Sequence, residues 1–219
     1  MIPLRDSQPS RTFPFVNYFF ILANVVVFLF ELSIGKYTND LFAHFGLVPA
    51  LWIADMKAAH IHAIIPLFTS MFLHGGWMHI LGNMLFLYIF GDNVEDQFGH
   101  FRYFIFYFMS GLAAAFTQIY FNAGSYGPMI GASGAIAGVI GAYVLMFPKA
   151  RVTTLIFIII FIKIIELPAF LFLGLWFVMQ IISAVLSLGI GGDAGGVAWW
   201  AHIGGFAMGF LAVPVFRKR

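Results

Sequence analysis

Residues 199–219 read WWAHIGGFAMGFLAVPVFRKR, eighteen residues free of Asp, Glu, Lys and Arg followed by Arg217, Lys218 and Arg219. A helix needs about 20 mostly apolar residues to cross a bilayer, and basic residues at its end mark the cytoplasmic side. The stretch therefore predicts a membrane span that closes on a basic cytoplasmic tail, residues 217–219. Within it stands one imidazole, His202. Polar groups inside membrane helices are costly, and they face the bundle interior or a water-filled cavity.

Outward from this segment, five more runs share its character, at residues 15–34, 77–97, 101–122, 131–147 and 167–188. The composition agrees: 62% of the chain is hydrophobic and 9% charged, where a soluble domain carries about 25% charged residues. Too few polar side chains remain to cover a water-facing surface. The expected fold is an all-α membrane protein, a bundle of six transmembrane helices in one domain, residues 15–216, behind a cytoplasmic segment, residues 1–14. The run at 15–34 is too long for a signal-peptide core, and no small-residue cleavage site closes it, so it is read as a retained helix. A further apolar stretch, residues 152–165, is rich in β-branched types and too short to span; it reads as interfacial or re-entrant. The loop at 35–77 has few charges and is expected to lie partly in the interface.

Orientation follows from Lys and Arg. With the N-terminus inside, the cytoplasmic side receives Arg5, Arg11, Arg102, Lys149, Arg151, Lys163 and the three terminal residues, while the outside receives only Lys36 and Lys57. The expected topology is N-in, C-in. A net charge of +2 leaves no electrostatic footprint for nucleic acid, and the absence of Cys excludes disulfides, thiolate catalysis and Cys-ligated metal.

Four polar residues stand out in the spans. His79 and Asn83 are four apart in the second, which puts them on one helix face. Ser133 lies in Gly131-Ala132-Ser133-Gly134 of the fourth, and His202 in Ala201-His202-Ile203-Gly204-Gly205 of the sixth. In the expected topology these three helices all run inward, and the four residues fall about 3–9 Å below the helix starts at 1.5 Å per residue. Taken singly, each has a plain reading. Gly-x-Ser-Gly is common in close-packed membrane helices, a lone His often serves packing, and His79 with Asn83 could form an interhelical clamp. Gly134, Gly138, Gly141, Gly205 and Gly209 read as packing faces. Their shared depth is what argues for chemistry. A serine hydroxyl becomes a nucleophile when a base within hydrogen-bond reach takes its proton, and His202 has the right intrinsic acidity to be that base. The tetrahedral oxyanion needs preorganised donors, which Asn83, His79 and the Ser133 N–H could supply. No acidic residue shares this depth, so a Ser–His dyad is expected rather than a triad.

The sequence resembles the rhomboid family over nearly its whole length. The matching pieces are residues 74–84 (HGGWMHILGNM), Glu95 with Gly99, residues 131–135 (GASGA) and residues 201–205 (AHIGG). The resemblance implies an intramembrane serine protease with no cofactor or metal, cleaving transmembrane segments of single-span membrane proteins in the lipid bilayer. It implies Ser133 as nucleophile, His202 as base, and His79 and Asn83 as oxyanion ligands. It also implies a mobile outer cap at residues 189–198 and a substrate gate in the fifth helix, near Trp176 and Phe177. The setting expected is a bacterial plasma membrane with the site near its outer face. The sequence departs from some family members at Ala137, where they place an aromatic residue that stacks on the catalytic histidine.

Three rivals remain. A channel or transporter would spread polar groups through the depth of the bundle rather than gather them at one level. A metal site from His60, His62, His74 and His79 lacks the His-Glu-x-x-His helix of a zinc protease. A non-catalytic membrane chaperone of the same fold would fail to react with a probe for activated serines.

Overall fold

The computed structural model describes residues 1–158, 161–190 and 196–218. After a short strand, β1 (Ile2–Asp6), come helices α1 (Phe15–Ile34), α2 (Thr38–Phe45), α3 (Pro49–Lys57), α4 (Ile65–Thr69), α5 (Trp77–Phe98), α6 (His100–Phe121) and α7 (Ser133–Met146). A hairpin of β2 (Arg151–Ile158) and β3 (Phe161–Pro168) precedes α8 (Ala169–Ile190) and α9 (Trp199–Phe216). Among the described residues, four helical stretches are long and apolar enough to cross a membrane: Phe15–Phe45, His100–Phe121, Ala169–Leu188 and Trp199–Phe216. The pair Ile61–Phe72 and Trp77–Phe98 passes the same test only jointly, across an 83° bend, and α7 is apolar but short. Large apolar side chains such as Leu22, Ile182, Leu186 and Leu211 lie exposed on these helices. In water they would form an adhesive surface; against lipid they match their solvent.

The expectation of an all-α chain, with residues 152–165 interfacial or re-entrant, is corrected here. That stretch forms two strands of a three-stranded antiparallel sheet ordered β1-β2-β3, with Thr154 opposite Pro3 on one side and Ile165 on the other. Burial alternates along β2, Val152 and Thr154 being buried and Arg151 exposed, the period-two pattern of a strand. β-Branched residues favour this pleated surface over a helix. The sheet is tied to the bundle where the Tyr143 hydroxyl of α7 donates to the Asp6 carboxylate. Burial raises the Asp6 carboxyl above its usual range, and the Tyr143 hydrogen bond works against that rise.

The helix ends are held by remote side chains. The first N–H groups of a helix lack intrahelical partners. In α1 those of Val16 and Asn17 donate to the Glu95 carboxylate, at 3.1 and 2.7 Å, and the same carboxylate meets His100 Nδ1 at 2.5 Å. Glu95 is therefore a fully buried cap on another helix. Gly99 turns the chain between α5 and α6 at φ +80°, a region that favours glycine.

At the centre lies α7, buried from Gly134 to Tyr143. Its glycines face those of α9. A Cβ on Gly205 would overlap the Gly134 carbonyl oxygen, and one on Gly209 would overlap that of Gly138. Small residues at such crossings let membrane helices approach to backbone contact. That contact sets the spacing of Ser133 and His202.

Candidate active site

Ser133 is the first residue of α7, so its backbone N–H has no partner within the helix. His202 is the fourth residue of α9, buried except for a few per cent of its surface. Its Nε2 lies 2.8 Å from Ser133 Oγ, within hydrogen-bond reach. The close α7–α9 crossing begins next to this pair, at Gly134 and Gly205.

His79 and Asn83 enter from α5. The Gly75 N–H points at His79 Nδ1 at 3.4 Å, so Nδ1 serves as acceptor and Nε2 carries the proton. His74 stands behind them: its Nδ1 faces the Phe72 carbonyl at 3.2 Å and must donate, leaving Nε2 to accept from the Asn83 amide at 3.0 Å. One N–H of Asn83 is thereby spent on His74, and the other remains to serve the cavity. The His74 N–H itself donates to Glu31 on α1, at 3.0 Å. Gly131, at φ +121°, leaves the space in front of these donors open. A Cβ there would stand 2.7 Å from His79 Nε2 and 3.6 Å from Asn83 Nδ2.

His79, Asn83, Gly131, Ser133, Trp176 and His202 all line one cavity of about 460 Å³. The sequence-expected dyad and oxyanion residues are thus brought together in it. Of the gate pair, Trp176 of α8 borders the cavity, its ring 5.8 Å from that of His202, while Phe177 stacks on Phe206 of α9 at 3.8 Å. Half of the expected cap at residues 189–198, residues 191–195, lies outside the described residues.

One residue escaped the sequence reading. Gln180 of α8 is buried, with its Oε1 2.7 Å from His202 Nδ1. A lone amide in an apolar helix was the available signal. The position of the aromatic seen in some relatives holds Ala137, fully buried, and the imidazole is flanked instead by Trp176 and, edge-on at 6.1 Å, Trp199.

The four histidines weighed as a rival metal set do not form one group among the described residues. His60 and His62 join Asp55 in an exposed cluster whose ligand atoms lie within 4.8 Å of one another and could hold an ion, whereas His74 and His79 face each other at 5.0 Å. In that cluster the His60 hydrogen bond, at 3.1 Å, lowers the Asp55 carboxyl below its usual range.

The profile of the Rhomboid domain matches residues 62–219. The chain belongs to the rhomboid family. Among curated proteins it is 34% identical over 160 residues to RHOMBOID-like protein 1 of Arabidopsis thaliana, an overlap of 73% of this chain and 36% of the relative. It is 29% identical over 222 residues to RHOMBOID-like protein 4 of the same plant, covering 91% and 52%. It is 28% identical over 160 residues to the mitochondrial Rhomboid protein 1 of Saccharomyces cerevisiae, 71% of this chain and 43% of the relative. The chain spans about half or less of the length of these rhomboid relatives. With its apolar helices, rhomboid membership makes it an integral, multi-pass membrane protein.

Proposed function

We propose that the chain is an intramembrane serine endopeptidase that cleaves transmembrane segments of single-span membrane proteins by a Ser133–His202 dyad. The observation that carries this reading is the 2.8 Å contact of Ser133 Oγ with His202 Nε2 inside a cavity that also receives Asn83 and His79. Rhomboid proteins are generally intramembrane serine proteases, although some are inactive. In the proposed reaction Ser133 Oγ attacks the scissile carbonyl carbon while its proton passes to His202 Nε2. Asn83 Nδ2, His79 Nε2 and the Ser133 N–H hold the oxyanion. His202 then protonates the leaving amine. Water attacks the acyl-enzyme, giving its proton to His202, and Ser133 is regenerated as that proton returns. Purified protein incubated with a labelled single-span substrate should cut it within the span, and Ser133→Ala protein should leave it whole. Turnover by the variant would sink the proposal.

The oxyanion assignment has its own readout. Asn83→Ala should lower kcat by about 10²–10³-fold, the effect of losing one oxyanion donor, while Ser133 still reacts with a fluorophosphonate. Loss of all labelling would make Asn83 a structural clamp with His74 instead.

We further propose six crossings, N-in and C-in, with the short α7 and the bent α4–α5 unit completing the set. Reporters fused after residue 219 should read as cytoplasmic and reporters inserted in the loop at 35–76 as external. The reverse pattern would dismantle the depth argument. The relatives include mitochondrial and chloroplastic proteins, so kinship does not point to a bacterial plasma membrane.

Substrate access is proposed at α8. Its contact with α9 includes the Phe177–Phe206 stack, and such pairs contribute about 0.5–1.5 kcal/mol. Phe177→Ala should therefore speed cleavage of a transmembrane substrate by about 2- to 10-fold, if that contact holds the gate shut. An unchanged rate would place access elsewhere.

A further inference from the structure

A Ser–His dyad has a weakness that the third member of a triad removes. A neutral imidazole has two tautomers, and only the one protonated on Nδ1 presents Nε2 as a base. The other points a proton at the serine hydroxyl and cannot accept one. In triads a carboxylate selects the tautomer, and losing it costs a large part of the rate. Here no carboxylate is hydrogen-bonded to the His202 imidazole among the described residues.

Hydrogen-bond accounting around Gln180 supplies the missing choice. Its side-chain amide touches two groups. Nε2 is 3.2 Å from the Trp176 backbone carbonyl, one turn back on α8. That oxygen can only accept, so the amide NH₂ must face it. The amide oxygen is then the atom that faces His202 Nδ1, at 2.7 Å. An amide oxygen cannot donate, so Nδ1 must carry the proton. Nε2 is left with its lone pair toward Ser133 Oγ, at 2.8 Å. Each of the three contacts forces the next, from the α8 backbone to the nucleophile.

We propose that Gln180 is the positioning residue of the dyad: its side-chain oxygen holds His202 in the tautomer and orientation that accept the Ser133 proton. This rests on the serine-protease reading and names a residue that the Rhomboid motifs in this sequence do not contain. The choice of an amide has a physical reason. The site is buried at His202 and at Gln180. A carboxylate there would carry a heavy desolvation cost, whereas an amide orients the ring without introducing charge. The planar rings of Trp176 and Trp199 restrict the imidazole from the sides, which leaves the Nδ1 contact to set its rotation.

A purely structural role for Gln180, bridging α8 and α9, is separable. Three measurements are made on purified full-length wild type, Gln180→Leu and Gln180→Glu: the rate of Ser133 labelling by a small fluorophosphonate, kcat and KM for a single-span substrate, and the ¹⁵N imidazole resonances of selectively histidine-labelled protein. His202→Asn assigns the resonances. Gln180→Leu keeps the volume and removes the acceptor, and should slow labelling and kcat by about 10–100-fold with KM unchanged, as loss of orientation rather than of the base itself. The His202 resonances should move from Nδ1-protonated toward the mixture of tautomers. Gln180→Glu restores an acceptor and should recover much of the labelling rate. If Gln180→Leu does not fold, Gln180→Met replaces it, being unbranched and without an amide. Wild-type labelling and an unchanged tautomer in the Leu or Met variant would overturn the proposal. A wild type that the fluorophosphonate never labels would instead overturn the serine-protease reading.

Discussion

Ser133→Ala and His202→Ala are each expected to abolish cleavage of a single-span substrate, and the double variant to lose no more than either alone. The loss should be on the order of 10⁴-fold or greater, since members of a nucleophile–base unit fail together. The geometry behind this is one hydrogen bond, Ser133 Oγ to His202 Nε2, between the first turn of α7 and the first turn of α9. Without the hydroxyl there is no acyl-enzyme. Without the imidazole the hydroxyl keeps its proton at neutral pH, and the oxyanion donors have nothing to stabilise. Single and double variants are compared by kcat and by thermal midpoint, so that loss of chemistry is distinguished from loss of fold. Ser133→Ala removes one partly buried hydroxyl and should leave the midpoint unchanged. If the double variant lost far more than either single one, Ser133 and His202 would be acting independently and the dyad would be wrong.

The second large effect is expected three residues from the base. Gly205→Ala should cost both stability and activity, because its new methyl would overlap the backbone oxygen of Gly134. No side chain can swing away from that collision, so α9 must move off α7. Overpacking of this kind costs about 1–3 kcal/mol, and a shift of about 1 Å between reacting groups can cost about 10²-fold in rate. His202 is carried on the helix that moves and Ser133 adjoins the residue it moves from. Activity should therefore fall about 10²-fold or more even in the fraction that remains folded. Gly174→Ala on α8 is the control, since a Cβ there meets nothing within 4 Å. Equal behaviour of the two variants, read by thermal midpoint and by turnover per folded molecule, would show that the glycine crossing does not set the dyad spacing.

How far the sequence foretold this molecule depends on which forces left a trace in it. The helices at 15–34 and 199–216 have the bounds expected, that at 77–98 differs by one residue at one end, and that at 100–121 by one residue at each end. Hydropathy over about 20 residues is a strong signal, and glycines or prolines punctuate it. The hairpin at 151–168 was not legible. Its run of β-branched residues suits a strand and an interfacial segment alike, and its pairing with residues 2–6 is a long-range fact. The facing of Ser133 and His202 was accessible because both stand near helix starts of like direction. Gln180 was not, because an isolated amide carries no spacing to a partner 22 residues away. Glu95 shows the same limit, its caps reaching Val16 and Asn17 at the far end of the chain.

The cavity at Ser133 is a blind one. It is bordered by Ile136 and Ile140, which lie up to about 10 Å along α7 from the nucleophile. Beyond them Phe90, Val94, Phe98, Phe106 and Tyr143 close the core, each no more than 1% exposed. Moving a bare ion through such a medium carries an idealised cost of about 20 kcal/mol. Water admitted from one face for the proposed hydrolysis would thus meet no conductive path to the other. On the proposed function, the ionic gradients of the host membrane would survive having a wet catalytic pit sunk into it.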